Sequence, residues 1–171
     1  MRFLDDAKTE REAVRTIVSM ADAAGFRNIN DAAELKPGDC VYGVNKNKSI
    51  YLAVIGKQPL TQGFNAVGAH IDAPRLDLKQ NPLYEDSGLA LLKTHYYGGI
   101  KKYQWTTVPL ALHGVVALTD GTVVDVKIGE DENDPVFLVT DLLPHLAAKQ
   151  NAKKLAEGVP AENLNILIGS M

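Results

Sequence analysis

The sequence predicts an α/β fold, the edge of an α/β sheet followed by a strand-rich second half. Three observations carry this reading. A capping-box pattern opens an apolar helical stripe near the start of the chain. Apolar runs of strand length follow it, parted by polar turns. After Pro74 the chain turns to short alternating strands punctuated by turn signals such as Asp120-Gly121.

Taken in order, Thr9-Glu10-Arg11-Glu12 offers a hydroxyl to the third helical amide and a carboxylate that reaches back to the cap. Ala13, Val14, Ile17, Val18 and Ala21 fall on one helical stripe, so the spacing predicts a helix over 10–24, ended by Gly25. Lys36-Pro37-Gly38-Asp39 reads as a turn. The runs 41–44 and 49–55, joined by Asn45-Lys46-Asn47-Lys48, read as a β-hairpin. A polar turn over 57–63 leads into a third strand, Phe64 to Ala69, that ends in His70. The polar stretch 79–88 reads as a connection. From Leu89 strands dominate, with a two-residue hairpin turn expected at Asp120-Gly121. Val124, Val126 and Ile128 alternate with polar partners, which gives one wet and one dry face. Glu130 to Asp134 reads as a solvated acidic loop. Pro144 and Gly158 bracket a second helix, and Asn163 to Ile168 forms a last apolar strand. That strand lies at the end of the sequence with no polar tail, a pattern that suggests truncation.

The 171 residues allow one compact domain or two small interlocked ones. Hydrophobic residues make up 46% and charged residues 23%, a globular balance. A net charge of −3 supplies no basic field, so no nucleic-acid partner is expected. One cysteine, Cys40, excludes an internal disulfide and a Cys-rich zinc site. No apolar run approaches the ~20 residues of a bilayer span, so no membrane partner is expected. The start is too acidic for a signal peptide. The chain is expected to be cytoplasmic.

The chemistry concentrates at Gly68-Ala69-His70-Ile71-Asp72-Ala73-Pro74-Arg75. Side chains alternate along a strand, so His70 and Asp72 share a face there. A carboxylate two residues after a histidine can hold the imidazole and raise its basicity toward a metal. The same spacing also suits a structural or surface pair. A catalytic zinc needs about three protein ligands, and no second cluster with ligand spacing is evident. His113, in line with Ala111 and Val115, reads as a satisfied strand histidine. His95 sits among aromatics and glycines, in a loop beside a site or a packed turn. His145 follows Pro144 at a helix start, by spacing a helix-terminal polar residue. Gly98-Gly99-Ile100-Lys101-Lys102 lacks the spacings of a phosphate loop, and no serine or cysteine nucleophile motif is present. The Tyr96-Tyr97 and Tyr103-Gln104-Trp105 aromatics read as core or interface packing by default.

Phe3 to Glu12, Ala69 to Lys79 and Leu91 to Trp105 together resemble the M18 family of zinc aminopeptidases, most closely its clostridial-type bacterial branch. The resemblance implies an exopeptidase with two zinc ions in the complete site, releasing acidic or neutral N-terminal residues from peptides. It implies that His70 ligates zinc, that Asp72 orients the His70 ring as part of the catalytic machinery, and that His145, in Pro144-His145-Leu146-Ala147, contacts substrate in a neighbouring subunit of a homo-oligomer. It divides the chain into residues 1–82, part of a peptidase α/β domain, and residues 83–171, part of a β-rich dimerisation domain.

Family members are far longer. Their bridging aspartate, general-base glutamate and remaining ligands lie beyond the residues matched here. The chain is therefore expected to be an N-terminal fragment, inactive alone. An alternative is a non-catalytic assembly module that pairs through the strand-rich half and an exposed strand over 163–168. A third reading, a small zinc protein using His70, His95 and His113, asks three separately explained residues to converge.

Overall fold

The computed structural model describes residues 2–170. They form two compact units, one ending at Ala73 and one beginning at Pro74.

In the first unit a short helix α1 (Arg2–Asp6) precedes α2 (Glu10–Ala23). The capping box forms as its residues require: the Glu12 amide donates to Thr9 Oγ1 at 3.3 Å, and the Thr9 amide donates to Glu12 Oε2 at 2.9 Å. Ala13, Val14 and Ala21 are buried on the inner stripe. At the far end Gly25 takes a φ of +82°. Its amide donates to Asp22 O and that of Phe26 to Ala21 O, the paired bonds of a Schellman stop. The sheet runs β1 (Arg27–Asn28), β2 (Cys40–Asn45) and β3 (Ser49–Val54), with β1 parallel and β3 antiparallel to β2. Lys46 and Asn47 both have positive φ at the hairpin tip, the geometry that matches strand twist.

The expected third strand does not form. Residues 63–74 are irregular, and among the described residues no strand pairs with them. An apolar extended run becomes a strand only where a neighbour supplies the ladder. Phe64 is 77% exposed and Val67 wholly so.

The second unit is built on an antiparallel sheet in the order β4-β5-β9-β8: β4 (Arg75–Asp86), β5 (Leu89–Tyr97), β8 (Leu138–Val139) and β9 (Ile166–Ser170). The stretch read as a connection is largely strand. β4 continues to Asp86, and Ser87 and Gly88, both at positive φ, turn it directly into β5. Its irregularity is a bulge in which 79–82 stand opposite Lys93. Pro82, lacking an N–H, is tolerated there because β4 is an edge strand.

β9 is an inner strand between β5 and β8, not the exposed one expected. Ile166 is buried on it, and Leu164 just before it is fully enclosed. These two form the core with Val139 and Val159, against which Leu76, Leu92, Trp105 and Phe137 pack.

A separate ribbon joins β6 (Leu112–Ala117) to β7 (Val123–Ile128). Its turn has three loop residues, not two: Leu118 N–H bonds Thr122 O, and Gly121 sits at φ +88° while Thr119 and Asp120 keep negative φ. The expected helix over 144–158 is broken into α3 (Ala148–Asn151) and α4 (Leu155–Gly158). Leu146 and Leu155 are both about two-thirds exposed, so no continuous apolar face holds a longer helix against the sheet. No helix among the described residues is long and apolar enough to cross a membrane.

Candidate metal centre

His70 and Asp72 lie in the irregular segment that closes the first unit, and the chain brings them into contact without a strand. His70 Nδ1 stands 3.0 Å from the Asp72 carbonyl oxygen and 3.1 Å from Asp72 Oδ1. A carbonyl oxygen only accepts, so Nδ1 carries the proton and donates. That selects the tautomer in which the Nε2 lone pair is available to a metal. The His70 side chain is 82% exposed and that of Asp72 35%. The imidazole is therefore reachable, and Asp72 is the more enclosed partner that holds it.

One oriented imidazole fits one ligand position of a zinc site. The rest of the donor set is not at hand: among the described residues no group of three or more His, Cys, Asp or Glu side chains could hold a metal. His95 and His113 both lie in the second unit, each with its own contacts. His113 is enclosed on β6, its Nε2 2.9 Å from Glu130 Oε1, as a satisfied strand histidine should be. His95 stands exposed on β5, its ring stacked on Tyr96 at 5.9 Å. Arg75, which follows the His-x-Asp motif, donates to Asp77 Oδ1 at 2.7 Å and lies over the Tyr97 ring at 4.1 Å.

His145 belongs to the second unit, exposed on a turn that precedes α3. That turn is closed by Leu146 N–H to Leu143 O and Ala147 N–H to Pro144 O. The reading of His145 as a substrate contact comes from the resemblance alone.

The sequence reading passed over Asp141. It borders a cavity of about 420 Å³ in the second unit, whose walls include Tyr84, Thr106, Lys149 and Asn165. Gln150 Nε2 donates to it at 2.9 Å and the Leu142 amide at 2.8 Å, with Thr106 Oγ1 at 3.4 Å. These hydrogen bonds, Gln150 first, hold its carboxyl below the usual carboxylate range against the opposing effect of burial. Leu142 is its neighbour, but Gln150 is nine residues on and Thr106 is 35 residues back, so no local spacing announces it.

Known proteins resemble this chain in sequence and fold. The family model described as aminopeptidase I zinc metalloprotease (M18) matches residues 3–170. A probable M18 family aminopeptidase 1 of Clostridium acetobutylicum is 57% identical over 99% of this chain. This chain spans 37% of that relative's length. Among solved structures, an M18 aminopeptidase from Thermotoga maritima superposes with a TM-score of 0.91 at 46% identity, covering 100% of this chain and 37% of its own. Aminopeptidase I from Clostridium acetobutylicum does so with a TM-score of 0.86 at 53% identity, covering 99% of this chain and 38% of its own.

Proposed function

The chain belongs to the M18 family of zinc aminopeptidases, and from that premise we propose that it supplies the amino-terminal part of a metallopeptidase that releases acidic or neutral N-terminal residues from peptides. The observation that carries this reading is the pairing of His70 Nδ1 with the Asp72 carbonyl oxygen and Asp72 Oδ1, which leaves Nε2 open to zinc.

In this reading a zinc ion held partly by His70 would supply Lewis-acid chemistry at the scissile carbonyl and an activated water. His70 provides one ligand nitrogen. Asp72 fixes the ring and its tautomer, so the lone pair meets the metal without a reorientation. His145 contacts substrate from a neighbouring subunit. Residues 1–82 belong to the catalytic domain and 83–171 to the dimerisation domain, with β4 crossing from one to the other. The protein is a cytoplasmic homo-oligomer; a yeast aminopeptidase of the same fold, 17% identical, is described as a dodecamer.

The chain by itself is inactive in this reading, because one imidazole and one positioning carboxylate provide neither a closed metal site nor a general base. Zinc content and release of N-terminal aspartate, glutamate or leucine from short peptides test this on the purified chain. The expected result is no tight zinc and no release. One or two tightly held zinc ions with turnover would show that other residues complete the site.

The alternative, an assembly module without chemistry, draws on the exposed apolar residues of the β6–β7 ribbon, Val116, Leu118, Val123 and Val124. A defined oligomer formed without metal, and unchanged by zinc or by His70→Ala, favours it.

A further inference from the structure

The cavity of about 420 Å³ in the second unit is of a size that takes a small molecule. Its walls come from the residues that follow β8, from α3 and the break after it, and from β4 and β5. Three charged side chains line it: Asp141, Lys149 and Lys153. A carboxylate that shares a cavity with two ammonium groups ordinarily pairs with one of them. Here Asp141 Oδ1 is taken instead by Gln150 Nε2 at 2.9 Å and by the Leu142 amide at 2.8 Å. Asp141 Oδ2 has only the long contact from Thr106 Oγ1, at 3.4 Å. A carboxylate oxygen accepts about two hydrogen bonds, so Oδ2 keeps room for a further donor. Among the described residues neither Lys149 nor Lys153 makes an ion pair. The wall therefore presents one anionic and two cationic groups that the fold has not used on each other. Tyr84 and Leu91, paired across β4 and β5, add an apolar patch.

We propose that this cavity binds a free acidic α-amino acid, aspartate or glutamate. Charge selects the class. The wall offers one carboxylate and two ammonium groups, and the ligand carries their complement, one ammonium and two carboxylates. The ligand ammonium donates to Asp141 Oδ2, its carboxylates accept from Lys149 and Lys153, and its methylenes lie against Tyr84 and Leu91. Each polar contact is a charge-assisted hydrogen bond, the stronger kind. A plain dianion would set negative charge against Asp141 with no donor between them. A neutral amino acid would leave one lysine without an acceptor. Binding here needs neither metal nor turnover, so its test stands apart from that of the proposed function.

Titration calorimetry of the full chain near neutral pH with L-glutamate and L-aspartate tests this. The expected result is saturable one-to-one binding of at least one of them, with Kd below about 1 mM. Removing one charge from the ligand should weaken binding at least about tenfold, both for L-glutamine, which lacks a carboxylate, and for glutarate, which lacks the ammonium. Asp141→Asn should weaken L-glutamate at least about tenfold yet leave glutarate unchanged or tighter, a reversal that a collapsed cavity could not produce. The double variant Lys149→Gln, Lys153→Gln, at two exposed positions, should keep the parent circular dichroism and weaken both ligands at least about tenfold. Should Asp141→Asn not fold, the lysine variant and the ligand comparison on the parent chain decide alone. Four results would each overturn the assignment: no saturable binding up to about 10 mM, equal affinity for L-glutamine or glutarate, L-glutamate binding that a folded variant leaves unchanged, or inorganic phosphate bound as tightly as L-glutamate. The last would mark a plain anion site.

Discussion

Replacing Leu164 with alanine should unfold the second unit's core first. Leu164 is 0% exposed and lies with Val139, Val159 and Ile166, the last of which pairs with Leu92 and Val139 across two strand ladders. Each methylene removed forfeits about 0.8 kcal/mol of transfer free energy. The walls of the hole are strands in fixed register, so little of the void can close. The combined loss should be about 3–4 kcal/mol, within the range for buried leucine truncations. For a unit of this size that lowers the melting midpoint by more than about 10 °C. Calorimetry or urea unfolding of the full chain measures it, with Leu83→Ala as the control, since Leu83 is 67% exposed. The control should stay within about 0.5 kcal/mol of the parent. A Leu164→Ala loss below about 1 kcal/mol would refute the placement of the last strand in the interior.

Thr94→Val should cost about 1–3 kcal/mol, because the Thr94 hydroxyl donates to the Leu164 carbonyl inside that core and its loss leaves a buried acceptor unpaired; urea unfolding reads it. Thr9→Ala should cost about 1 kcal/mol and speed amide exchange at Glu12, since the cap at the start of α2 loses its acceptor. Gly121→Ala should destabilise the β6–β7 ribbon by about 1 kcal/mol despite open space around it, because φ +88° disfavours any Cβ; exchange in β6 and β7 measures this. The depressed carboxyl of Asp141 makes its stabilisation complete above the ordinary aspartate pKa and lost as pH falls through its own lower value. The stability gap between parent and Asp141→Asn should therefore be full near pH 6 and shrink toward pH 2, and a gap that persists at pH 2 would contradict the assignment.

What could be read from the sequence were the features settled by neighbours in the chain. The capping box, the Gly25 stop and the Lys46-Asn47 turn need residues only a few positions apart, and the structure forms all three. The Asp-Gly signal marked the β6–β7 hairpin, though Gly121 takes the left-handed position in a three-residue loop. Features that depend on distant partners were read less well. The run ending at His70 has the composition of a strand but meets no ladder. The Pro144 to Gly158 stretch has helix-end signals but no sustained apolar face. The segment over 79–88 looked polar enough for a connection, yet pairing with β5 holds it as an edge strand. At the candidate centre, the two-residue spacing of His70 and Asp72 was enough to anticipate their contact, though it arises in an irregular segment. Asp141 was invisible because the fold brings Gln150 and Thr106 to it.

The claim that His70 offers Nε2 to zinc is tested most directly by long-range ¹H–¹⁵N NMR of the imidazole rings, recorded without and with added zinc. The account predicts a His70 ring protonated at Nδ1, with zinc shifting its Nε2 resonance and His70→Ala removing that signal. A ring protonated at Nε2, or zinc that moves His95, His113 or His145 while leaving His70 unchanged, would contradict it.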